Sequence, residues 1–254
     1  MPARPRRLRQ PSSLAAAFAG AGQLFLNAGG AEPTDGPQPM VRRQIAAIDA
    51  AAAAGIRHVV KISVWRAAPG RLLAEGAHGE IERHLAASGL AATVLQPNAF
   101  MQNFVTGAGA FTADGDLVGA YGHGRISYVD CADIAACAAT VLTDPARRGG
   151  THVLTGPAAL SHEEIAAEIS AVTGRTVSYV DMAPAEMAAA LRAHGLPERF
   201  SADVAALAAD VAAGALAGTT PAVRELTGFP PRTFSQFLAD HALALRQAMS
   251  GAAS

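Results

Sequence analysis

The chain has 254 residues, of which 50% are hydrophobic and 16% are charged, and its formal net charge is -1. This composition supplies ample material for an α/β core and excludes extensive disorder. The near-neutral charge gives no reason to expect nucleic acid or an acidic membrane as a partner, and no segment has the ~20 uninterrupted apolar residues of a membrane span.

The first ten residues differ from the rest, with four arginines, two prolines and no glycine. They cannot form a buried parallel strand, because such strands are apolar on both faces. Arg6 and Arg7 before an apolar stretch superficially resemble an export signal, whereas Pro11 and Ser12 are typical of the start of a soluble helix.

Helix and strand signals alternate through residues 23–155. Strands are predicted at 23–27, 58–63, 92–96 and 151–155, and helices at 14–19, 40–54, 78–88 and 134–142. Gly55 and Gly89 close two of the helices, and Pro97 ends the third strand. A short helix is predicted at 98–105, with further strands at 117–120 and 126–129. This alternation predicts a mainly parallel sheet flanked by helices.

After Ser161 the chain is rich in alanine and helical in pattern. Helices are predicted at 162–172, 184–193, 200–216 and 233–248, with one strand at 177–180. Ser161 and Glu164 form a predicted capping box, and Asp130 is predicted to cap the helix that follows it. We therefore divide the chain into an α/β domain at 1–156 and a mostly helical cap at 157–254.

The glycine clusters are poor candidates for a phosphate loop. Gly20 and Gly22 precede a strand, although a phosphate loop must follow one and open a helix. Asn27 to Gly30 follows a strand but lacks a third glycine at a helix start. The plain interpretation of both is a turn.

The cysteines and histidines indicate no metal site. Cys131 and Cys137 are six residues apart, so their thiols point in different directions on a helix, and a reducing cytoplasm is the expected location. Five histidines are interpreted as surface or satisfied packing residues: His84, His152, His162, His194 and His241.

Six segments carry a family resemblance. They include Gly55-Ile-Arg-His-Val-Val-Lys61, His78-Gly-Glu-Ile-Glu82 and Thr93-Val-Leu-Gln-Pro-Asn98, and lie at 48–63, 78–90, 93–103, 124–135, 154–161 and 226–234. Together they resemble the NmrA-like group of atypical short-chain dehydrogenases, which includes NAD(P)H-dependent quinone and azo-dye reductases. The resemblance covers about residues 12–245.

The resemblance implies a Rossmann-like, doubly wound fold that is N-terminally truncated. By this alignment the chain lacks the glycine-rich strand, turn and helix, about 35–40 residues. In strand order 3-2-1-4-5-6, the missing strands would separate 23–27 from 58–61. We expect either a gap in the sheet or direct pairing of these two strands, with the phosphate site lost in both cases.

Three residues are candidates for catalysis. The Tyr-x-x-x-Lys spacing of ordinary short-chain dehydrogenases is occupied here by His78 and Glu82. His78 could transfer a proton near neutral pH, with Glu82 orienting it from one turn away, or both could belong to a solvated helix face. Lys61 ends a predicted strand, where ligand crevices open, or is a surface cation.

Residues at the strand ends are candidates for binding. We expect Asn27, Ser63, Pro97 and Asn98 to contact the cofactor. The resemblance places Phe100, Met101 and Asn103 beside the nicotinamide and the substrate, although Phe100 and Met101 are equally typical of core packing.

The expected function is therefore an NAD(P)H-dependent oxidoreductase acting on a small aromatic or quinone-like molecule. With the phosphate loop missing, NAD(P)H binding by this chain is in question. One alternative is a cofactor-independent dehydratase, isomerase or cyclase on the same scaffold, and another is a non-catalytic, ligand-sensing regulator. The expected partner is a small-molecule substrate, with room for a homodimer, and no nucleic acid or membrane is expected.

Overall fold

The computed structural model describes residues 11–27, 29–106 and 111–251, so the predictions about residues 1–10 lie outside it. The chain divides into two compact units. The first comprises 1–96 and 138–152, and the second comprises 97–137 and 153–254. The predicted division after residue 156 stays a prediction.

The strands and helices have the following bounds. The strands are β1 (Gln23–Leu26), β2 (His58–Ile62), β3 (Ala91–Pro97), β4 (Leu117–Gly119), β5 (Arg125–Ile126), β6 (Thr151–Leu154), β7 (Leu160–Ser161) and β8 (Tyr179–Asp181). The helices are α1 (Pro11–Phe18), α2 (Pro39–Ala53), α3 (Leu73–Ala87), α4 (Cys131–Thr143), α5 (His162–Thr173), α6 (Pro184–Ala193), α7 (Glu198–Ala212), α8 (Ala222–Thr227), α9 (Phe234–Asp240) and α10 (Ala242–Gly251).

The main sheet has four strands in the order β1-β2-β3-β6. β1 is parallel to β2, with Gln23 opposite His58, and β2 is parallel to β3, with His58 opposite Ala91. The predicted parallel sheet with flanking helices is confirmed. Of the two arrangements expected for β1 and β2, direct pairing is the one observed.

The core of the first unit is built by periodic apolar residues. α2 buries one side, on which residues recur every three or four positions, at Met40, Gln44, Ala47, Ile48 and Ala51. These pack with residues of the strands and of α3, including Leu26, Val59, Ile81, Leu85 and Val94. The sheet is thereby fixed against α2 and α3.

Helix α3 begins five residues before the predicted start at residue 78. The local glycines hide this start, because glycine disfavours a helix interior. A Cβ at Gly76 would lie 2.0 Å from the Arg71 carbonyl oxygen, and one at Gly79 would lie 2.1 Å from the Ala68 carbonyl carbon. Both glycines therefore allow the preceding loop to lie directly against the helix.

The second unit is mostly helical and has its own core. β4 pairs with β8 in parallel, and β5 pairs with β7 in antiparallel. The core includes Met101, Phe104, Ile165, Ile169, Phe234, Phe237 and Leu245. The capping box of Ser161 and Glu164 is present, as predicted.

Two predicted elements of this unit differ from the structure in type or number, and the strand expected at 126–129 is shorter, at Arg125–Ile126. The helix expected at 98–105 is a short 3-10 turn at Met101–Phe104. The helix expected at 233–248 is two helices, α9 and α10, interrupted at His241, whose backbone φ of -115 is not helical. Within the described ranges, no helix is long and apolar enough to cross a bilayer.

Candidate functional site

Polar residues collect at the carboxyl ends of the parallel strands of the first unit. Lys61 lies near the end of β2, Ser63 follows that strand, and Gln96 lies near the end of β3. His78 and Glu82 reach them from the middle of α3. This is the edge of an open α/β sheet at which ligand crevices form.

Lys61 and His78 form a buried pair. The Lys61 Nζ atom lies 2.9 Å from His78 Nδ1 and donates to the Ile62 carbonyl oxygen at 2.9 Å. Lys61 is 0% exposed and His78 is 4% exposed. The alternative interpretation of Lys61 as a surface cation is therefore wrong.

Burial sets the protonation of this pair. It lowers the pKa of Lys61 from 10.5 to about 7, against the opposing effect of the Glu82 carboxylate. Burial, together with the Lys61 charge, lowers the pKa of His78 from 6.5 to about 3. His78 is therefore a neutral imidazole at neutral pH, which accepts from Lys61 at Nδ1 and carries its hydrogen on Nε2. The group that titrates near neutrality is Lys61.

Glu82 has a different role from the one predicted. Its carboxylate accepts a hydrogen bond from the Ser63 hydroxyl, and the Gln96 amide nitrogen donates to both of its oxygens at 3.0 Å. Glu82 therefore joins the ends of β2 and β3 to α3 and does not orient His78 in this structure. Although both residues lie on α3, the His78 side chain contacts Lys61, whereas the Glu82 side chain contacts Ser63 and Gln96.

The candidate binding residues of the first unit have contrasting environments. Ser63 is buried and is committed to Glu82, whereas Asn27 is exposed directly after β1. Asn27 is thus free to meet a ligand, while Ser63 acts on the site through Glu82. A cofactor contact by either residue stays a prediction.

Two candidate cofactor-binding residues of the second unit, Pro97 and Asn98, are both buried. Asn98 is buried, and its amide nitrogen donates to the Ser127 hydroxyl at 2.8 Å and the Leu216 carbonyl at 3.0 Å. Pro97 is buried as the last residue of β3. Asn98 therefore serves mainly to tie the backbone of this unit together.

The proposed substrate residues lie around Asn98 in sequence. Met101 is 1% exposed in the core of the second unit, which favours the packing interpretation for this residue. Phe100 is half-buried and bridges to Val129, and Asn103 is exposed. Phe100 and Asn103 keep surface with which a substrate could make contact.

No glycine-rich turn in the described ranges joins a strand directly to a helix. β1 ends at Leu26, and the next helix begins at Pro39. β2 ends at Ile62, and the next helix begins at Leu73. A dinucleotide pyrophosphate is held by backbone N–H groups at a helix N-terminus that follows a strand at once, so these residues do not fit that part of the cofactor.

Two polar residues of the described structure were missed by sequence reasoning. Gln96 lies in a predicted strand and is not among the candidate site residues, although its position at a strand end, one residue before Pro97, is a usable signal. His162, which the sequence indicates to be a surface or satisfied packing residue, is a packing residue at 4% exposure with its Nε2 atom 3.3 Å from the Tyr128 hydroxyl, but its Nδ1 atom has no hydrogen-bond partner among the described residues, and this was not predicted. For His162 no local signal was present, since the satisfaction of its ring nitrogens depends on residues distant in sequence.

Comparisons with known proteins show what this chain is similar to. The model of the NmrA-like family matches residues 6–215. The NAD(P)H azoreductase of Xenophilus azovorans is 36% identical over 238 residues, covering 93% of this chain and 81% of that protein. Quinone oxidoreductase 2 of Escherichia coli is 31% identical over 189 residues, covering 74% of this chain and 66% of that protein.

A solved structure gives the same relationship. The NADPH-dependent quinone oxidoreductase of Escherichia coli, in complex with NADPH, superimposes with a TM-score of 0.79 at 28% identity, over 93% of this chain and 81% of that one. The family model spans most of the chain, and the match to the azoreductase covers 93% of this chain and 81% of that protein. The protein belongs to the NmrA-like family.

Proposed function

We propose that the protein is an NAD(P)H-dependent oxidoreductase that reduces a small aromatic or quinone-like substrate. The observation that carries this proposal is the relationship, at 36% identity over 238 residues, to an NAD(P)H azoreductase. The quinone oxidoreductase of Escherichia coli supports the same class of reaction and substrate. A bound nicotinamide would supply the hydride.

The protein's own contribution is a proton. A carbonyl or quinone oxygen that gains an electron pair must also be protonated, and a group with a pKa near 7 transfers protons well at neutral pH. Lys61 is such a group, and His78 lies next to it at 2.9 Å. We assign Lys61 as the proton reservoir. The neutral His78 imidazole is the group that would pass the proton, or donate a hydrogen bond from Nε2, to the substrate oxygen.

We expect this site to bind a nicotinamide cofactor weakly. In the described structure neither β1 nor β2 is followed directly by a helix N-terminus that could hold a pyrophosphate, so a nicotinamide cofactor would be held mainly through the strand ends near Asn27. We therefore expect reduction to require a high cofactor concentration. The same observation favours a second candidate function, a cofactor-independent isomerase or dehydratase that uses the same Lys61 and His78 pair.

The experiment is a reductase assay on the purified chain, with NADPH and a panel of quinones and azo dyes. His78→Ala should lower turnover about 10²-fold if His78 takes part in proton transfer. The matched control is His84→Ala on the same helix, because His84 is partly exposed and contacts Asp49 at 2.6 Å. Equal turnover by the two folded variants would show that His78 takes no part in proton transfer and serves only in packing.

The two candidate functions separate on one further measurement. With deuterium on C4 of the nicotinamide, a reductase removes the label from the cofactor and oxidises NADPH with a primary isotope effect. An isomerase or dehydratase instead exchanges protons of a carbonyl substrate with deuterated water when no nicotinamide is present. Failure to oxidise NADPH with any of the substrates, at saturating cofactor, would contradict the proposed reduction. A cytoplasmic location and a homodimer stay predictions.

A further inference from the structure

A cavity of about 320 Å³ lies at the amino-terminal ends of the parallel strands of the first unit. Its lining includes the first residues of three strands, Gln23, His58 and Ala91, and the turn before β6. Lys61, Ser63 and Gln96 lie at the other ends of β2 and β3. The cavity is therefore separate from the site proposed for the reductase reaction.

The cavity is positively charged. Arg57 and Arg148 line it, and no acidic residue of the described ranges does. In the described part of the chain, neither guanidinium forms an ion pair with a carboxylate. Unpaired arginines that face one cavity attract an anion, since a guanidinium presents donors in the planar geometry that suits phosphate and carboxylate groups.

Arg148 is held in place by the backbone. Its Nε atom donates to the Val141 carbonyl at 3.3 Å and its Nη2 atom to the Leu142 carbonyl at 3.1 Å. The next residue, Gly149, has a φ of 96 and donates from its N–H to the Thr93 hydroxyl at 2.7 Å. These contacts fix the turn and leave the Nη1 group of Arg148 available to a ligand.

A buried histidine completes the wall. His58 is 3% exposed, its Nδ1 atom lies 3.3 Å from the Gln23 amide oxygen, and its Nε2 atom lies 3.0 Å from the Thr93 hydroxyl. The chain of bonds is complete when Nδ1–H donates to Gln23, and Nε2 accepts from Thr93, so the ring is neutral. Burial and the Arg148 charge both lower the pKa of His58.

We propose that this cavity binds a phosphate dianion, either free or as the end of a small phosphomonoester, between Arg57 and Arg148. Charge and volume both favour this class of ligand: two cations without carboxylate partners among the described residues line an opening large enough for a phosphate group. A neutral or cationic ligand would leave both guanidinium groups without a counter-ion.

The test is a calorimetric titration of the whole chain with inorganic phosphate at about pH 8, where phosphate is mainly a dianion. Chloride keeps the ionic strength constant, since screening alone changes weak binding. Arg57→Gln and Arg148→Gln should each weaken binding about 10-fold, as expected for loss of a charge-assisted hydrogen bond. Arg42→Gln is the matched control, because Arg42 is an exposed arginine of the same unit outside the cavity.

A second readout locates the ligand. Phosphate should shift the NMR signal of the His58 ring and leave that of His84 unchanged. Titration with methyl phosphate distinguishes the two sources: binding as tight as that of phosphate indicates a phosphomonoester, and its loss indicates free phosphate. Affinity unaltered in both cavity variants, or no saturable binding up to about 10 mM phosphate, would overturn the proposal. Neither readout depends on reductase activity, so its failure is distinct from failure of the proposed function.

Discussion

The Nζ atom of Lys61 lies 2.9 Å from Nδ1 of His78, and both side chains are buried. A lysine and a histidine in contact cannot both be positively charged in a site shielded from water, because like charges repel strongly there. The histidine is the neutral partner. This pair, on neighbouring elements of the first unit, supplies the group with a pKa near 7.

The first prediction concerns the ionisation of Lys61. It is the only lysine in the chain, so protein labelled with ¹³C at lysine Cε gives a single side-chain signal. We expect this signal to titrate near pH 7 in the folded protein, and near 10.5 when the protein is unfolded in urea. The cause is the loss of hydration around a charged ammonium group.

A variant tests the origin of this value. Glu82→Gln should lower the pKa of Lys61 further, because the Glu82 carboxylate favours the charged ammonium. The control is Glu80→Gln, an exposed residue on the same helix. A lysine signal that titrates above about 9 in the folded protein would contradict the buried pair, since that is close to the value of an unperturbed lysine.

The second prediction concerns the cofactor. We expect the chain to bind NADPH with a Kd weaker than about 10 μM, because in the described residues no glycine-rich turn joins a strand of the main parallel sheet directly to a helix N-terminus that could hold the pyrophosphate. Nicotinamide fluorescence measures this directly. Tighter binding would mean that a phosphate site exists elsewhere in the chain, and competition by inorganic phosphate would then show whether the arginine-lined cavity provides it.

The third prediction concerns Gln44 in α2. Its side chain is 2% exposed, and neither its amide oxygen nor its amide nitrogen has a partner in the described residues. Gln44→Met keeps the length of the side chain and removes both polar atoms, so it should raise the free energy of unfolding by about 1–3 kcal/mol.

Urea denaturation measures this change. Gln247→Met is the matched control, since Gln247 is exposed and its replacement should alter stability by less than about 0.5 kcal/mol. A loss of stability in Gln44→Met that exceeds the control would show that the amide has a partner in the folded protein.

The fourth prediction concerns acid stability. His162 is stacked on Tyr121 at a centroid distance of 4.5 Å, and the Tyr128 hydroxyl lies 3.3 Å from its Nε2 atom. Burial lowers the pKa of His162 from 6.5 to about 4, partly offset by Glu163 and Asp181. Between these pH values the unfolded chain binds a proton that the folded chain does not. Stability is therefore lost as the pH falls from 6.5 to about 4.

The contribution of His162 is on the order of 3 kcal/mol over this range. His162→Gln keeps an acceptor for Tyr128 but cannot titrate, so its unfolding free energy should fall less between these pH values than that of the unaltered protein. His194→Gln, at an exposed position, is the control and should leave the pH dependence as it was. The same pH dependence in His162→Gln and in the unaltered protein would show that His162 is already protonated when folded.

Local patterns account for much of the fold. The apolar spacing along α2 and the glycines after α2 and α3 predict those helix ends, since Gly55 and Gly89 adopt φ values of 74 and 76. The capping box of Ser161 and Glu164 is equally local. Such features can be predicted from the sequence because they involve residues only a few positions apart.

The order and spacing of the sequence segments are also enough to identify the family and to place Lys61 and His78 among the candidate catalytic residues. The contacts, burial and pKa of these residues depend on the tertiary structure. Lys61 meets a histidine seventeen positions away, and Glu82 is held by Gln96, fourteen positions away. A periodic pattern shows which side of a helix or strand is apolar. Such a pattern does not show which polar side chain of another element will contact a given residue. The burial and the pKa of that residue depend on this contact.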